Sequence, residues 1–172
     1  LGERLRTVPI DLAITSDLSR AMDTAKAILG DRAVPLSTDA AFRELHYGEW
    51  ESHRERDIAK TKVHVDQFAL MRAEDPAWQP PGGETVVAVR DRMTAALEQV
   101  ARANVGRSIL LVSHGTAINC LLTGILAMPP SHTFRIDIAN CGLTELHFSP
   151  EAAGRFVATR INDTAHLASV KP

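Results

Sequence analysis

The sequence predicts an α/β fold: a three-layer α/β/α sandwich forming one domain over residues 1–172, built on a largely parallel sheet. Three observations carry this. Short apolar runs lead at once into helical patterns, at 11–15 into 18–29 and at 109–112 into 118–125. The 109–112 run is continuously apolar, as a strand buried on both faces is. The last third changes character, with strand-like runs separated by turn residues, which predicts an antiparallel portion there.

Each element has its own signal. Leu1-Gly2-Glu3-Arg4-Leu5-Arg6 reads as the tail of an amphipathic helix; with neither cap nor first turn, it predicts further residues ahead of Leu1. Asp11–Thr15 is a short strand. Ser16 or Asp17 can cap a helix carrying Leu18, Ala21, Met22, Ala25, Ile28 and Leu29, and Gly30 stops it. Val34–Ser37 is a weak strand, 39–51 a polar-rich loop, and Ser52 to about Met71 a poorly capped helix. Pro76, Pro80, Pro81, Gly82 and Gly83 mark a loop. A helix from about Glu84 to Asn104 puts Val86, Val89, Met93, Leu97 and Val100 on one face. The 109–112 strand and its helix follow, and Pro129-Pro130 lies beyond the helix end. Ile136–Ala139, Leu143–Phe148 and Phe156–Ile161 read as strands, with turns at Asn140–Gly142 and Pro150–Gly154.

Composition narrows the function classes. A net charge of -2, from 19 basic and 21 acidic residues, gives no reason to expect nucleic acid as a partner. The longest mostly apolar stretch, 117–128, is too short to span a bilayer and is broken by Asn119, Thr123 and Gly124, so no membrane role is expected. Cys120 and Cys141 are too few for a disulfide scaffold; reduced thiols and a cytoplasmic location are expected. Neither paired metal-ligand spacings nor a Walker loop or G-x-S-x-G elbow occurs, so no metal and no cofactor are expected.

Three constellations carry chemistry. In Ser16-Asp17-Leu18-Ser19-Arg20-Ala21, Arg20 lies in the first turn of a helix, where the dipole disfavours a cation unless an anion is held there. Taken alone, Arg20 would be read as a solvated surface arginine. In Phe42-Arg43-Glu44-Leu45-His46-Tyr47-Gly48-Glu49-Trp50-Glu51, charges and aromatics are interleaved, and burial of Glu44, Glu49 or Glu51 would suit a general acid. In Ser113-His114-Gly115-Thr116, a buried strand delivers an imidazole beside free N–H groups at a helix N-terminus, a place to hold phosphate. By itself the motif reads equally well as a structural histidine that caps the helix or bonds a backbone carbonyl.

In order, these motifs resemble the histidine phosphatase superfamily, of phosphoglycerate-mutase-like fold. Pro81-Gly82-Gly83-Glu84-Thr85 and Asn162-Asp163-Thr164-Ala165-His166-Leu167 extend the likeness over nearly the whole chain. The resemblance implies phosphoryl transfer through a phosphohistidine. It gives Arg20 and His114 the phosphate, with Gly115 and Thr116 as backbone donors, and makes Glu44 the acid and then the base. His114 would also act in catalysis, stabilising charge in the transition state. Gly48, Trp50 and Gly83 match shape-setting positions. The family's nucleophile lies in an Arg-His-Gly motif on a first strand, and this sequence has no such motif. The expectation is therefore a nucleophilic histidine upstream of residue 1 and a place left for that strand beside 109–112.

The Gly48-Glu49-Trp50-Glu51 ending and the short spacing to Pro81-Gly82-Gly83 resemble the phosphatase branch, so a metal-independent phosphomonoesterase is expected. Its partner would be a small phosphorylated metabolite, with a homodimer as a possible assembly. His46-Tyr47-Gly48 echoes the mutase loop, which makes a cofactor-dependent phosphoglycerate-type mutase the alternative. A noncatalytic regulatory relative is the third reading. The segment 53–80, with Arg54, Arg56, Phe68 and Trp78, is expected to roof the site.

Overall fold

A computed structural model describes residues 1–53, 58, 62–73, 75, 77–151 and 154–168. Helix α1 (Gly2–Leu5) leads to β1 (Leu12–Thr15), α2 (Ser19–Leu29) and β2 (Leu36–Thr38). Two 3-10 turns, Ala40–Phe42 and Gly48–Trp50, shape the next loop. Then come α3 (Lys62–Arg72), α4 (Val86–Ala103), β3 (Ile109–Val112), α5 (Gly115–Ile125), and an antiparallel pair, β4 (Leu143–Ser149) with β5 (Arg155–Asp163).

The sheet order is β2-β1-β3, all parallel, with Ala13 opposite Leu36 and Leu110. Successive strand residues face opposite sides, and the sequence uses both. Leu12, Ile14, Ile109 and Leu111 pack with Val89, Met93, Ala117 and Leu121 of α4 and α5. Leu36, Leu110 and Val112 pack with Leu5, Ala21, Ala25 and Ile28 of α1 and α2. Helices therefore cover both faces, giving the three layers. Among the described residues β3 pairs only with β1 and so is an edge strand. That edge is where the sequence reading puts a strand from outside residues 1–172.

The long helix starts two residues later and ends one residue earlier than the predicted Glu84 to Asn104. Thr85 caps it by accepting Ala88 N–H at 3.1 Å. Neither Ser16 nor Asp17 is the N-cap of α2; that position is Leu18, without a side-chain cap. Both side chains are drawn elsewhere, Ser16 to His114 and Asp17 to Arg43. The predicted strand Ile136–Ala139 does not form. Its backbone bonds to one side chain instead: Asn162 Nδ2 donates to the Asp137 carbonyl at 2.7 Å, and Ala139 N–H donates to Asn162 Oδ1 at 3.0 Å. Cys120 is buried and Cys141 exposed, and both thiols are free. No helix among the described residues is long and apolar enough to cross a membrane.

Candidate active site

Parallel strands end together, so whatever follows β1 and β3 converges at one edge of the sheet. After β1 come Ser16, Asp17 and, in the first turn of α2, Arg20. After β3 come Ser113, His114 and the first turn of α5. Arg20 donates from Nε to His114 Nδ1 at 3.2 Å. Since Nδ1 accepts, the ring proton sits on Nε2, which lies 2.9 Å from Ser16 Oγ and donates to it. His114 is 8% exposed. Burial first, then the positive charges of Arg20 and Arg92, hold its pKa down at about 4, so the ring is neutral at pH 7.

The acid loop is bound to the same helix start. Ser113 Oγ donates to the Phe42 carbonyl at 2.9 Å, tying the end of β3 to the loop. Glu44 Oε1 accepts from Ala117 N–H at 2.9 Å and from Leu45 N–H at 2.8 Å; Oε2 accepts from Thr116 N–H at 3.3 Å. The loop thus does not sink this carboxyl among apolar groups. It sets the carboxylate, half-buried, on the N-terminal N–H groups of α5, where the helix dipole favours negative charge. Thr116 N–H, expected to face phosphate, faces Glu44 in this state; Gly115 is the first residue of α5. Arg20, His114, Glu44, Gly115 and Thr116 therefore gather around one helix N-terminus.

Four participants escaped the sequence reading as site residues. Ser16 Oγ takes the Nε2 proton of His114 in the tautomer that Arg20 fixes. Tyr47 reaches Thr116, with its hydroxyl 2.9 Å from Oγ1. Burial, the largest influence, raises its phenol pKa and keeps it protonated. Arg92 and Glu84 pair beneath the loop, with Nε to Oε1 at 2.9 Å. A signal for Arg92 was present: it lies three residues after Val89 and four before Ala96, on the buried stripe of α4, where a charge needs partners. Of the other two acid candidates, Glu51 accepts Tyr47 N–H on Oε1 at 2.9 Å.

The segment expected to roof the site is partly described. Arg54 and Arg56 lie outside the described residues. Phe68 stacks on Trp50 at 4.5 Å between ring centroids, and Trp78 is 2% exposed, so these two are core anchors. Beside them Tyr47, Glu51, His53, Ile58 and Met71 help to line a cavity of about 340 Å³.

The model of the histidine phosphatase superfamily (branch 1) matches residues 1–164. A protein of Yersinia enterocolitica serotype O:8 named probable phosphoglycerate mutase GpmB is 34% identical over 170 residues, 97% of this chain and 78% of that one. Bacillus stearothermophilus YhfR superposes with a TM-score of 0.89 at 24% identity, covering 96% of this chain and 80% of that one. A mycobacterial glucosyl-3-phosphoglycerate phosphatase in complex with VO3 superposes with a TM-score of 0.80 at 25% identity, covering 95% and 81%.

Proposed function

The chain belongs to branch 1 of the histidine phosphatase superfamily, and from that premise we propose that the natural protein hydrolyses small phosphomonoesters through a phosphohistidine. One observation carries the reading: Arg20, His114 and Glu44, far apart in sequence, meet at the N-terminus of α5. A phosphoryl group at this corner would accept from the Arg20 guanidinium and, in place of Ser16 Oγ, from His114 Nε2–H, with α5 adding its dipole. Glu44, entering the step protonated, gives its proton to the leaving oxygen, and the carboxylate so formed then takes the proton of the attacking water. His114 stabilises charge in the transition state. Because the sequence has no Arg-His-Gly motif, this reading takes the nucleophile to be a histidine outside residues 1–172; among the described residues β3 pairs only with β1. The cavity beside Tyr47 would take part of the leaving group.

The test uses the natural full-length protein. It should release phosphate from p-nitrophenyl phosphate in EDTA, and vanadate, which mimics the trigonal-bipyramidal transition state, should inhibit it. Glu44→Gln should slow turnover by about 10²–10⁴-fold, most for poor leaving groups. Turnover by residues 1–172 alone, with a phosphohistidine signal lost in His114→Ala, would make His114 the nucleophile and invert the roles.

The name of the Yersinia relative favours a second reading, a phosphoglycerate-type mutase. The two differ in where the phosphoryl group goes. With 3-phosphoglycerate, a phosphatase gives inorganic phosphate and glycerate; a mutase gives 2-phosphoglycerate.

A further inference from the structure

We infer that Arg92, backed by Glu84, is a positioning residue for Glu44: it fixes the main chain of residues 41–44 so that the carboxylate stays over the first turn of α5. The inference rests on Glu44 being the acid and base.

A guanidinium has five N–H donors in a rigid planar fork. In Arg92 all five are used. One terminal nitrogen donates to the carbonyls of Ala41 at 2.7 Å and Arg43 at 2.9 Å. The other donates to the carbonyl of Glu44 at 3.1 Å and to Glu84 Oε2 at 2.9 Å. Nε donates to Glu84 Oε1 at 2.9 Å. No donor is left for a substrate, so Arg92 is not a second phosphate clamp. Its work is on the loop.

Three carbonyls within four consecutive residues accept from this one side chain, and the last belongs to Glu44 itself. Glu84 grips the other flank. Its Oε2 also accepts His46 N–H at 3.0 Å, and its own N–H donates to the His46 carbonyl at 2.9 Å. Glu44 is thus held on both sides by one ion pair anchored on α4. The pair is only 23% and 29% exposed, so solvent screens it weakly. Lysine would keep the charge but could not serve three carbonyls and a carboxylate in one plane.

A positioning role differs measurably from mere support of the fold. A misplaced acid slows reactions that need protonation of the leaving oxygen and spares those that do not. The experiment takes the full-length protein and measures kcat and KM for p-nitrophenyl phosphate and for glycerol 2-phosphate, a poor leaving group. Arg92→Lys, Arg92→Met and Glu84→Gln are made alone and in combination with Glu44→Gln. Thermal unfolding is followed in each. The Arg92 variants should lose about 10–100-fold in kcat on glycerol 2-phosphate and much less on p-nitrophenyl phosphate, with KM nearly unchanged. In the Glu44→Gln background that loss should vanish, because the group being aimed is gone. Glu84→Gln should lose less in the same sense, and it decides the matter if the Arg92 variants do not fold. Equal losses on both substrates, or the same loss with Glu44→Gln already present, would overturn the inference and leave the reading of Glu44 standing. Failure of Glu44→Gln to distinguish the two substrates would overturn both.

Discussion

Arg20 and His114 lie 94 positions apart in sequence, yet they meet at 3.2 Å, the guanidinium donating to an imidazole nitrogen. The contact requires a neutral ring, because a protonated imidazole has no lone pair to accept with. It also joins the two strand ends that build the site. A cation set against a histidine at the C-terminal end of a parallel strand favours its neutral ring.

The first prediction concerns acid stability. His114 in the fold titrates at about 4, against 6.5 for a free imidazole. Between these values the unfolded chain binds the extra proton and the folded one does not. The ring's contribution to stability is therefore complete above pH 6.5 and is lost as pH falls toward 4. Its size is at most about 3 kcal/mol. Urea midpoints from pH 8 to 4 should show the wild type losing more stability than His114→Gln between 6.5 and 4, with a constant offset above 7. Parallel curves across that window would mean His114 is not held neutral.

A second prediction separates two roles of Glu44. Its carboxylate accepts three backbone N–H groups, two of them from the first turn of α5. Glu44→Ala should therefore cost about 1–2 kcal/mol in stability, as loss of a helix N-cap does. Glu44→Asp, one methylene shorter, should recover part of that stability without recovering turnover of poor leaving groups. Denaturation and kinetics on the same two variants test this. Full recovery of turnover in Glu44→Asp would mean the acid need not sit where it does.

Gly48 sets up a third prediction, about how the acid loop is held. A Cβ there would lie 2.1 Å from the Pro81 carbonyl oxygen and 2.6 Å from backbone atoms of Gly82 and Gly83, at φ +54. Two backbone bonds already join these loops: Glu49 N–H to the Pro81 carbonyl and Glu84 N–H to the His46 carbonyl, both at 2.9 Å. Gly48→Ala should cost more than about 2 kcal/mol, because the overlap is with backbone and cannot relax by a side-chain rotation. Gly30→Ala, also at φ +54 but with ψ -130 and in open space, carries backbone strain alone, about 1–3 kcal/mol, and should cost less than Gly48→Ala. Thermal melts of the two variants give the comparison, and equal losses would show that the overlap relaxes.

Much of the fold was legible because the pattern was strong where the sheet is buried. Residues 109–112 have no polar interruption and form the strand as read. Arg20, Glu44 and His114 were legible through motif order, and they do come together. What escaped depended on contacts that no local pattern encodes. Ser16 reads as a helix cap because a hydroxyl before a helix usually is one; its partner is a histidine 98 residues away. Ile136–Ala139 reads as a strand, but its backbone is satisfied by the Asn162 amide. The orientation of Glu44 toward N–H groups follows from where α5 begins in space relative to the loop, which only the assembled sheet decides.

The last prediction uses Arg20 to separate charge from geometry. Burial is the first cause of the low His114 pKa, and the Arg20 charge is the next. Arg20→Ala removes that charge and should raise the His114 titration, though not to 6.5, since burial and Arg92 remain. Arg20→Lys keeps a cation and should leave the titration near its wild-type value. Anion binding should behave differently. Phosphate and vanadate are bound best by the planar fork, so both variants should weaken vanadate inhibition, Arg20→Ala by about 10–100-fold and Arg20→Lys by less. NMR titration of the His114 ring and vanadate inhibition of the full-length protein read the two effects independently. A His114 titration equally unmoved by both variants would show that burial and Arg92 hold the ring neutral without Arg20. Vanadate inhibition equally strong in all three proteins would remove Arg20 from the phosphate site.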